Sequence, residues 1–328
     1  MTDSPRSRLQ KFYARFDKND QVLVAINADP DAIAGAMAIK RLLWKRVAAV
    51  TKAHVNVIER PDNVALINLL DAKLVYKDKI DLARYNRFVM VDSQPEHNEW
   101  LGGIQPDVII DHHPAAATGK RKGGGYIDVR PSYGAVATIL VEYLRAARIN
   151  PSRKLATALY LGIKSDTSNF ERHARIEDVR AFQSIYKRVN VPLARRIEQA
   201  DITPEALDVF ATALRRREMI RGWMFAHLGK IDNPDTCVLV ADFFMRVNTV
   251  KWSVVSGVYD NTMIVILRNN GLGRDAGKKA AKVFGQMGSA GGHKSMARAE
   301  IDLNAFYAAS GTRTSEGIQQ WIRDQFLR

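Results

Sequence analysis

Short apolar runs of strand length alternate with amphipathic stretches along the first half of the chain. Gln21-Val-Leu-Val-Ala-Ile26 is the first run. From Ala32 to Val50, apolar residues recur at nearly 3.6-residue spacing among helix formers, which predicts a helix. Val55-Asn-Val-Ile58 reads as a strand and Asn63 to Leu70 as a helix. Phe88-Val-Met-Val91 and Val108-Ile-Ile110 read as strands, and an aspartate follows each. Helical spacing returns over Ala135–Ala147, Arg153–Leu161 and Ile176–Ile197. This alternation predicts a mostly parallel sheet covered by helices, an α/β fold.

The pattern changes after Ala200-Asp-Ile-Thr-Pro204, where Thr203 suits a helix cap and Pro204 the first helical position. Pro204–Ile220 reads as a helix. Trp223–Ala226, Thr236–Val240, Val254–Tyr259 and Met263–Leu267 read as strands, and Lys278–Phe284 as a short helix. Ile318, Ile322 and Phe326 recur every four residues in a terminal helix, which is expected to dock on its own domain. The expected division is a first domain over 1–186, a connector over 187–203 and a smaller α/β domain over 204–328. A length of 328 residues suits about two domains.

Composition narrows the class. Hydrophobic residues at 46% and charged residues at 26% are ordinary for a soluble globular chain, and no apolar run of about 18 residues suggests a membrane span. Met1 to Asp20 is mixed in charge and does not read as a secretory signal. The one cysteine, Cys237, lies in an apolar run, reads as a buried small hydrophobe and fits a reducing cytosol. The formal charge of +14 favours polyanionic partners through counterion release. A basic surface that binds nothing has the same composition. Lys120-Arg121-Lys122 followed by Gly123-Gly-Gly125 is a candidate mobile basic loop.

The candidate chemistry sits at predicted strand ends, where ligand sites form in open parallel sheets. Asn27-Ala28-Asp29-Pro30-Asp31 follows the first strand, and two carboxylates one residue apart can reach neighbouring metals. Asp31 can equally cap the next helix. The small residues Ala34-Gly35-Ala36 allow that helix to approach the sheet closely. Asp92 follows the next run, and alone it reads equally as a turn former. Asp111-His112-His113-Pro114 is a sharper signal, because an imidazole can ligate a metal that a neighbouring acid helps to orient. Asp166, in Gly162-Ile-Lys-Ser-Asp166-Thr167, offers another oxygen. Oxygen ligands with imidazole suit Mn²⁺ or Mg²⁺ better than a thiolate metal. In the second part, Gly285-Gln-Met-Gly288-Ser-Ala-Gly291-Gly292-His293-Lys294-Ser295 can cradle a phosphate with exposed amides, flanked by Arg268 and Arg298. A tight structural loop reads the same way.

The order of these motifs resembles the DHH phosphoesterase family, in the branch of RecJ-like exonucleases and bacterial nano-RNases with pAp phosphatase activity. The resemblance spans about residues 18–303, with Gly291-Gly292-His293 similar to the signature of the associated C-terminal domain. Arg130-Pro-Ser-Tyr-Gly134-Ala135 is similar to a stretch between the third and fourth motifs. The resemblance implies a mostly parallel-sheet DHH domain joined to a smaller substrate-binding domain across a cleft. It implies two divalent ions, Mn²⁺ before Mg²⁺, with Asp29 and Asp92 on one and Asp31, Asp92, His112 and Asp166 around the other. Asn27 stands where RecJ-like members carry an aspartate and is an additional metal-ligand candidate. Ala25 stands where nano-RNases usually carry a histidine. Asp111 is read as an orienting group and His113 as a phosphate contact. Arg130, Arg268, Gly291, Gly292, His293 and Arg298 are the expected substrate-binding residues.

The expected reaction is hydrolysis of short RNA or DNA oligonucleotides by metal-activated water in the cytoplasm, with a homodimer allowed. The alternatives are a pAp phosphatase, a phosphodiesterase for linear or cyclic dinucleotides, and a non-catalytic nucleotide- or nucleic-acid-binding module.

Overall fold

A computed structural model describes residues 4–58, 60–114, 125–171, 174–199, 204–271 and 274–327, and of residues 204–206 the backbone alone. The candidate basic loop at 120–122 and the capping residue Thr203 lie outside the described residues. The chain divides into two compact units, residues 1–200 and 201–328.

Unit 1 contains α1 (Pro5–Tyr13), β1 (Gln21–Ile26), α2 (Pro30–Leu42), β2 (Ala49–His54), α3 (Pro61–Leu70), β3 (Val75–Tyr76) and β4 (Arg87–Val91). There follow α4 (Glu99–Gly102), β5 (Val108–Asp111), β6 (Tyr126–Val129), α5 (Val136–Ala146), α6 (Arg153–Asp166), α7 (Ile176–Tyr186) and α8 (Val191–Glu198). The strands pair in parallel in the order β3-β2-β1-β4-β5-β6. Chain order therefore reverses between β1 and β4, and a doubly wound sheet opens its ligand crevice at that switch point. Alternation along each strand separates two cores. Val22, Val24 and Ile26 face the larger helical layer, while Ala25, Met90 and Ile109 face Leu101 and Ile104 on the other side. Ala25 is thus a packing residue. A Cβ on Gly35 would come within 2.5 Å of Val91 Cγ1, so only glycine lets α2 lie this close to β4.

Unit 2 contains α9 (Pro204–Arg216), β7 (Glu218–Ile220), β8 (Trp223–Lys230), α10 (Asp235–Phe244), β9 (Trp252–Tyr259) and β10 (Thr262–Asn269). It ends with α11 (Ala276–Phe284), β11 (Gly288–Gly292), β12 (Met296–Asp302), α12 (Leu303–Ser310) and α13 (Ser315–Leu327). Its sheet runs β11-β12-β10-β9-β8-β7, antiparallel except between β8 and β9. As expected, α13 buries Ile318, Ile322 and Phe326 in its own unit.

Several local expectations are corrected. Residues 236–240 form part of α10, because Cys237, Val240, Ala241 and Phe244 are buried at helical spacing. Cys237 is buried, and burial pushes its thiol up to about 12. The helix expected to reach Val50 ends at Leu42, and the next strand is Ala49–His54, ahead of Val55–Ile58. The helix expected over 176–197 breaks after Tyr186, where Asn190 caps α8 and Pro192 sits in its first turn. Ala194 and Ile197 of α8 join the unit-1 core, so the expected connector is largely domain structure. The glycine-rich segment holds a strand, β11, paired antiparallel with β12. Gly288 and Gly292 serve close packing: a Cβ on Gly288 would run into Glu300 O, and one on Gly292 into Met296 O.

Among the described residues, no helix is long and apolar enough to cross a membrane.

Candidate metal centre

The loops leaving β1, β4 and β5 converge with the end of α6 at the switch point. Asp29 caps α2, accepting from the Ala32 amide at 2.8 Å, with Pro30 in the first turn and Asp31 behind it. Asp31 is wholly buried and accepts from the first amides of α5, Val136 N at 2.5 Å and Ala137 N at 2.9 Å. These amides lack intrahelical partners, and the positive end of α5 favours a carboxylate there. Asp92 adopts φ 55°, in the left-handed region that aspartate tolerates better than most residues. Strain of this kind concentrates at functional sites.

His112 holds the centre of the cluster. Its Nδ1 lies 3.1 Å from the Tyr133 carbonyl, which can only accept, so Nδ1 carries a proton and donates. The opposite nitrogen, Nε2, faces carboxylates: Asp166 Oδ2 at 3.1 Å, Asp92 Oδ1 at 3.3 Å and Asp31 Oδ2 at 4.0 Å. His112 Nε2 and Asp92 Oδ1 are both buried without a hydrogen-bond partner. Such orphaned atoms are costly unless something compensates them. One ligand atom from each of Asp31, Asp92, His112 and Asp166 lies within 4.8 Å of the others, and Asp92, His112 and His113 form a second such group. The residues present therefore fit a divalent cation, and Asp92 and His112 belong to both groups.

Around this cluster lies an orienting shell. Asp111 is buried and accepts from the amides of His112 at 2.7 Å and His113 at 3.1 Å, and from the Gln94 amide at 2.6 Å. It also accepts from His113 Nδ1 at 2.9 Å. Burial acts to raise the Asp111 carboxyl, but the hydrogen bonds from His113 and Gln94 outweigh it and hold the group below its usual range. Asp178 accepts from Gly134 N at 3.0 Å, Thr138 Oγ1 at 2.6 Å and Arg175 N at 2.7 Å. It thereby fixes the turn whose carbonyl orients His112. Sequence reading missed Gln94 and Asp178. An uncharged loop residue gives no signal, and an acid in a helix's first turn reads as a cap.

The other candidates have surroundings of their own, each within its unit. Arg130 is buried, and its guanidinium donates to Asp128 at 2.8 and 2.7 Å and to Glu142 at 2.5 Å. With these donors committed, Arg130 buttresses Tyr133, which also donates to Glu142. Asn27 is exposed, and its backbone amide donates to Ser93 Oγ. In unit 2, Arg298 lies opposite Ile266 and Gly291 in the sheet, and Arg268 is two residues on from Ile266, so these positions share one face. Arg268 donates to Asp242 at 2.6 Å, and Arg298 pairs with Glu300 at 2.7 Å. His293 and Gly292 are exposed, and a Cβ on Gly291 would meet nothing within 4 Å.

The metal-free cluster has a definite pH signature. Burial, then the charge of Asp166, pushes Asp29 up to about 6 from an ordinary 3.8. Burial also drives Asp31 and Asp92 well above their usual range, reinforced by Asp166 and Asp29 respectively. Burial alone lowers His112, but the carboxylates of Asp166 and Asp92 that face its Nε2, with the charge of Asp31, push it up to about 12. A raised carboxyl keeps a proton that the unfolded chain releases, so stability falls as pH rises through its window. A raised imidazole has the same sign, its stabilisation being lost above its unfolded value. Metal-free protein should therefore melt lower at about pH 8 than at about pH 5, and Mn²⁺ should raise melting more at the higher pH, where fewer protons must be displaced. Equal Mn²⁺ shifts at both pH values would contradict this description.

A family model described as DHH family, N-terminal domain, matches residues 21–163. The chain is 34% identical over 308 residues to an uncharacterised protein of Methanocaldococcus jannaschii, covering 93% of this chain and 63% of that one. It therefore spans just under two thirds of that relative's length. Among solved structures it is similar to an exopolyphosphatase-related protein from Bacteroides fragilis, with a TM-score of 0.75, 15% identity and coverage of 98% of this chain and 95% of that one. A structure of exonuclease RecJ bound to manganese matches at a TM-score of 0.50, 14% identity and the same two coverages. At these identities the two structures share the fold.

Proposed function

Residues 21–163 are a DHH family N-terminal domain, and from that membership we propose that the chain is a divalent-metal-dependent phosphoesterase acting on short oligonucleotides. The observation that carries this reading is the pair of buried orphan atoms, His112 Nε2 and Asp92 Oδ1, facing the carboxylates of Asp31 and Asp166. Asp31, Asp92, His112 and Asp166 would hold one ion, and Asp92 with Asp29 the other, Mn²⁺ before Mg²⁺. When bound, such ions supply an activated water and positive charge for the phosphoryl group in flight.

The chain's own residues supply position and proton control. The Tyr133 carbonyl fixes the His112 tautomer, so that Nε2 meets the cation as a lone pair. Asp111 accepts from His113 Nδ1 and fixes the ring, and His113 Nε2 would meet a phosphate oxygen as a donor only when that nitrogen also carries a proton. Gln94 restrains Asp111 and donates to the His113 carbonyl at 3.1 Å. In unit 2, open space at Gly291 and the exposed His293 suit the phosphate end of a substrate. Arg268 and Arg298 would reach it only by exchanging their present acidic partners.

With Mn²⁺ present, RNA of about two to five nucleotides should be degraded faster than a strand of about 24, because the sequence shows no aromatic-interleaved strand-binding domain of the kind a long single strand uses. A matched panel adds 3′-phosphoadenosine 5′-phosphate, cyclic dinucleotides and pyrophosphate. Faster attack on the long strand would favour a RecJ-like exonuclease. The uncharged Asn27 favours a second reading, a binding module with a weakened metal site. No turnover of any member despite bound Mn²⁺ would support that one.

A further inference from the structure

A hollow of about 330 Å³ opens at the outer edge of the unit-1 sheet, between the end of β2, the outward side of α3 and the edge strand β3. This size is at the lower end of small-molecule sites. Its walls combine flat aromatic and aliphatic surface. The rings of His54 and Tyr76 lie 5.3 Å apart at 51°, and Val57, Ile58, Val64 and Ile67 supply the aliphatic lining. Val57 is 65% exposed and Val64 37%, so apolar surface is left open to solvent here.

The polar groups in the hollow are few and directional. His54 Nδ1 lies 2.7 Å from the Asn56 carbonyl, an obligate acceptor, so Nδ1 carries the proton and Nε2 is an acceptor. Burial lowers the pKa of His54, which favours this neutral form. The exposed amide of Asn68 offers both a donor and an acceptor. Flat apolar walls with separate donor and acceptor groups match a heterocyclic base, which stacks on its faces and hydrogen-bonds at its edge.

The hollow is also tied to the acidic cluster. Asn56, whose carbonyl holds His54, accepts from Ala28 N at 2.6 Å and donates to Ala28 O at 2.9 Å. Ala28 directly precedes Asp29. One hydrogen-bonded loop thus joins the hollow to the first acidic motif. From this juxtaposition we propose that the hollow is a nucleobase subsite that positions a substrate nucleotide beside the acidic centre, an inference that rests on the phosphoesterase reading for its substrate.

The test separates base binding from hydrolysis. Adenosine and guanosine, which carry no phosphate, are titrated into the metal-free full chain and followed by saturation-transfer NMR, with ribose 5-phosphate as the base-free probe. Two variants are compared, Tyr76→Ala, which removes a ring, and Val64→Arg, which obstructs the hollow from an exposed helix position; melting confirms that each is folded. Both should weaken nucleoside binding about ten-fold and leave ribose 5-phosphate unaffected. Both should also raise KM for a dinucleotide while kcat is retained. Absence of nucleoside binding to the wild type, or unchanged affinity in both folded variants, overturns the subsite. Variant-sensitive nucleoside binding in a chain that hydrolyses no phosphate ester would sustain the subsite and reject the phosphoesterase reading.

Discussion

Asp92→Asn should lower phosphoester turnover by roughly 10³-fold or more while leaving the fold intact. Asp92 Oδ1 is buried without a hydrogen-bond partner, and the side chain belongs to both candidate ligand groups, so one charge serves the whole centre. Asparagine is the informative replacement. The backbone stands at φ 55°, which asparagine tolerates and alanine adopts with strain. Burial pushes the Asp92 carboxyl up, with Asp29 and Asp31 adding repulsion, so removing its charge should not destabilise the metal-free protein. Turnover and thermal melting are measured together. Near-wild-type turnover would remove Asp92 from the centre.

The second large effect should come from a residue that touches no substrate. Gly162→Ala places a methyl group 2.8 Å from Asp31 Oδ1 and 3.0 Å from Asp31 Cα. Asp31 cannot retreat without leaving the amides of Val136 and Ala137, and the new methyl would also lie 3.3 Å from Ala137 Cβ. Overpacking of this kind typically costs about 1–3 kcal/mol. Displacement of a carboxylate in a preorganised centre should reduce turnover on the order of 10²-fold. Melting and calorimetric Mn²⁺ titration should both register the change. A variant with wild-type melting, Mn²⁺ affinity and turnover would show that Asp31 is not held as described.

Much of the centre was legible because strand ends mark themselves. Each apolar run before Asp29, Asp92 and Asp111 is a strand, and the doubly wound order brings their ends together at the switch point. Asp166 was harder to read, since it closes a helix and resembles any polar helix end. The apolar run at 236–240 was ambiguous because strand and buried helix share short hydrophobic stretches, and burial at Cys237, Val240, Ala241 and Phe244 decides for helix. The ion pairs of Arg130 were not legible, because the acids that occupy it, Asp128 and Glu142, come from two different elements. Gln94 and Asp178 act through partners distant in the sequence, Asp111 and the His113 carbonyl for Gln94 and the Gly134 amide and Thr138 hydroxyl for Asp178, and no local pattern marks such pairings. The edge hollow is built from β2, α3 and the two-residue β3, and no local pattern announces such an assembly.

The most direct measurement is turnover of a dinucleotide by exhaustively metal-stripped protein, before and after Mn²⁺ is returned. The account predicts no turnover by the stripped protein and restored hydrolysis as Mn²⁺ fills the cluster of Asp31, Asp92, His112 and Asp166. Undiminished hydrolysis in the stripped protein would contradict it.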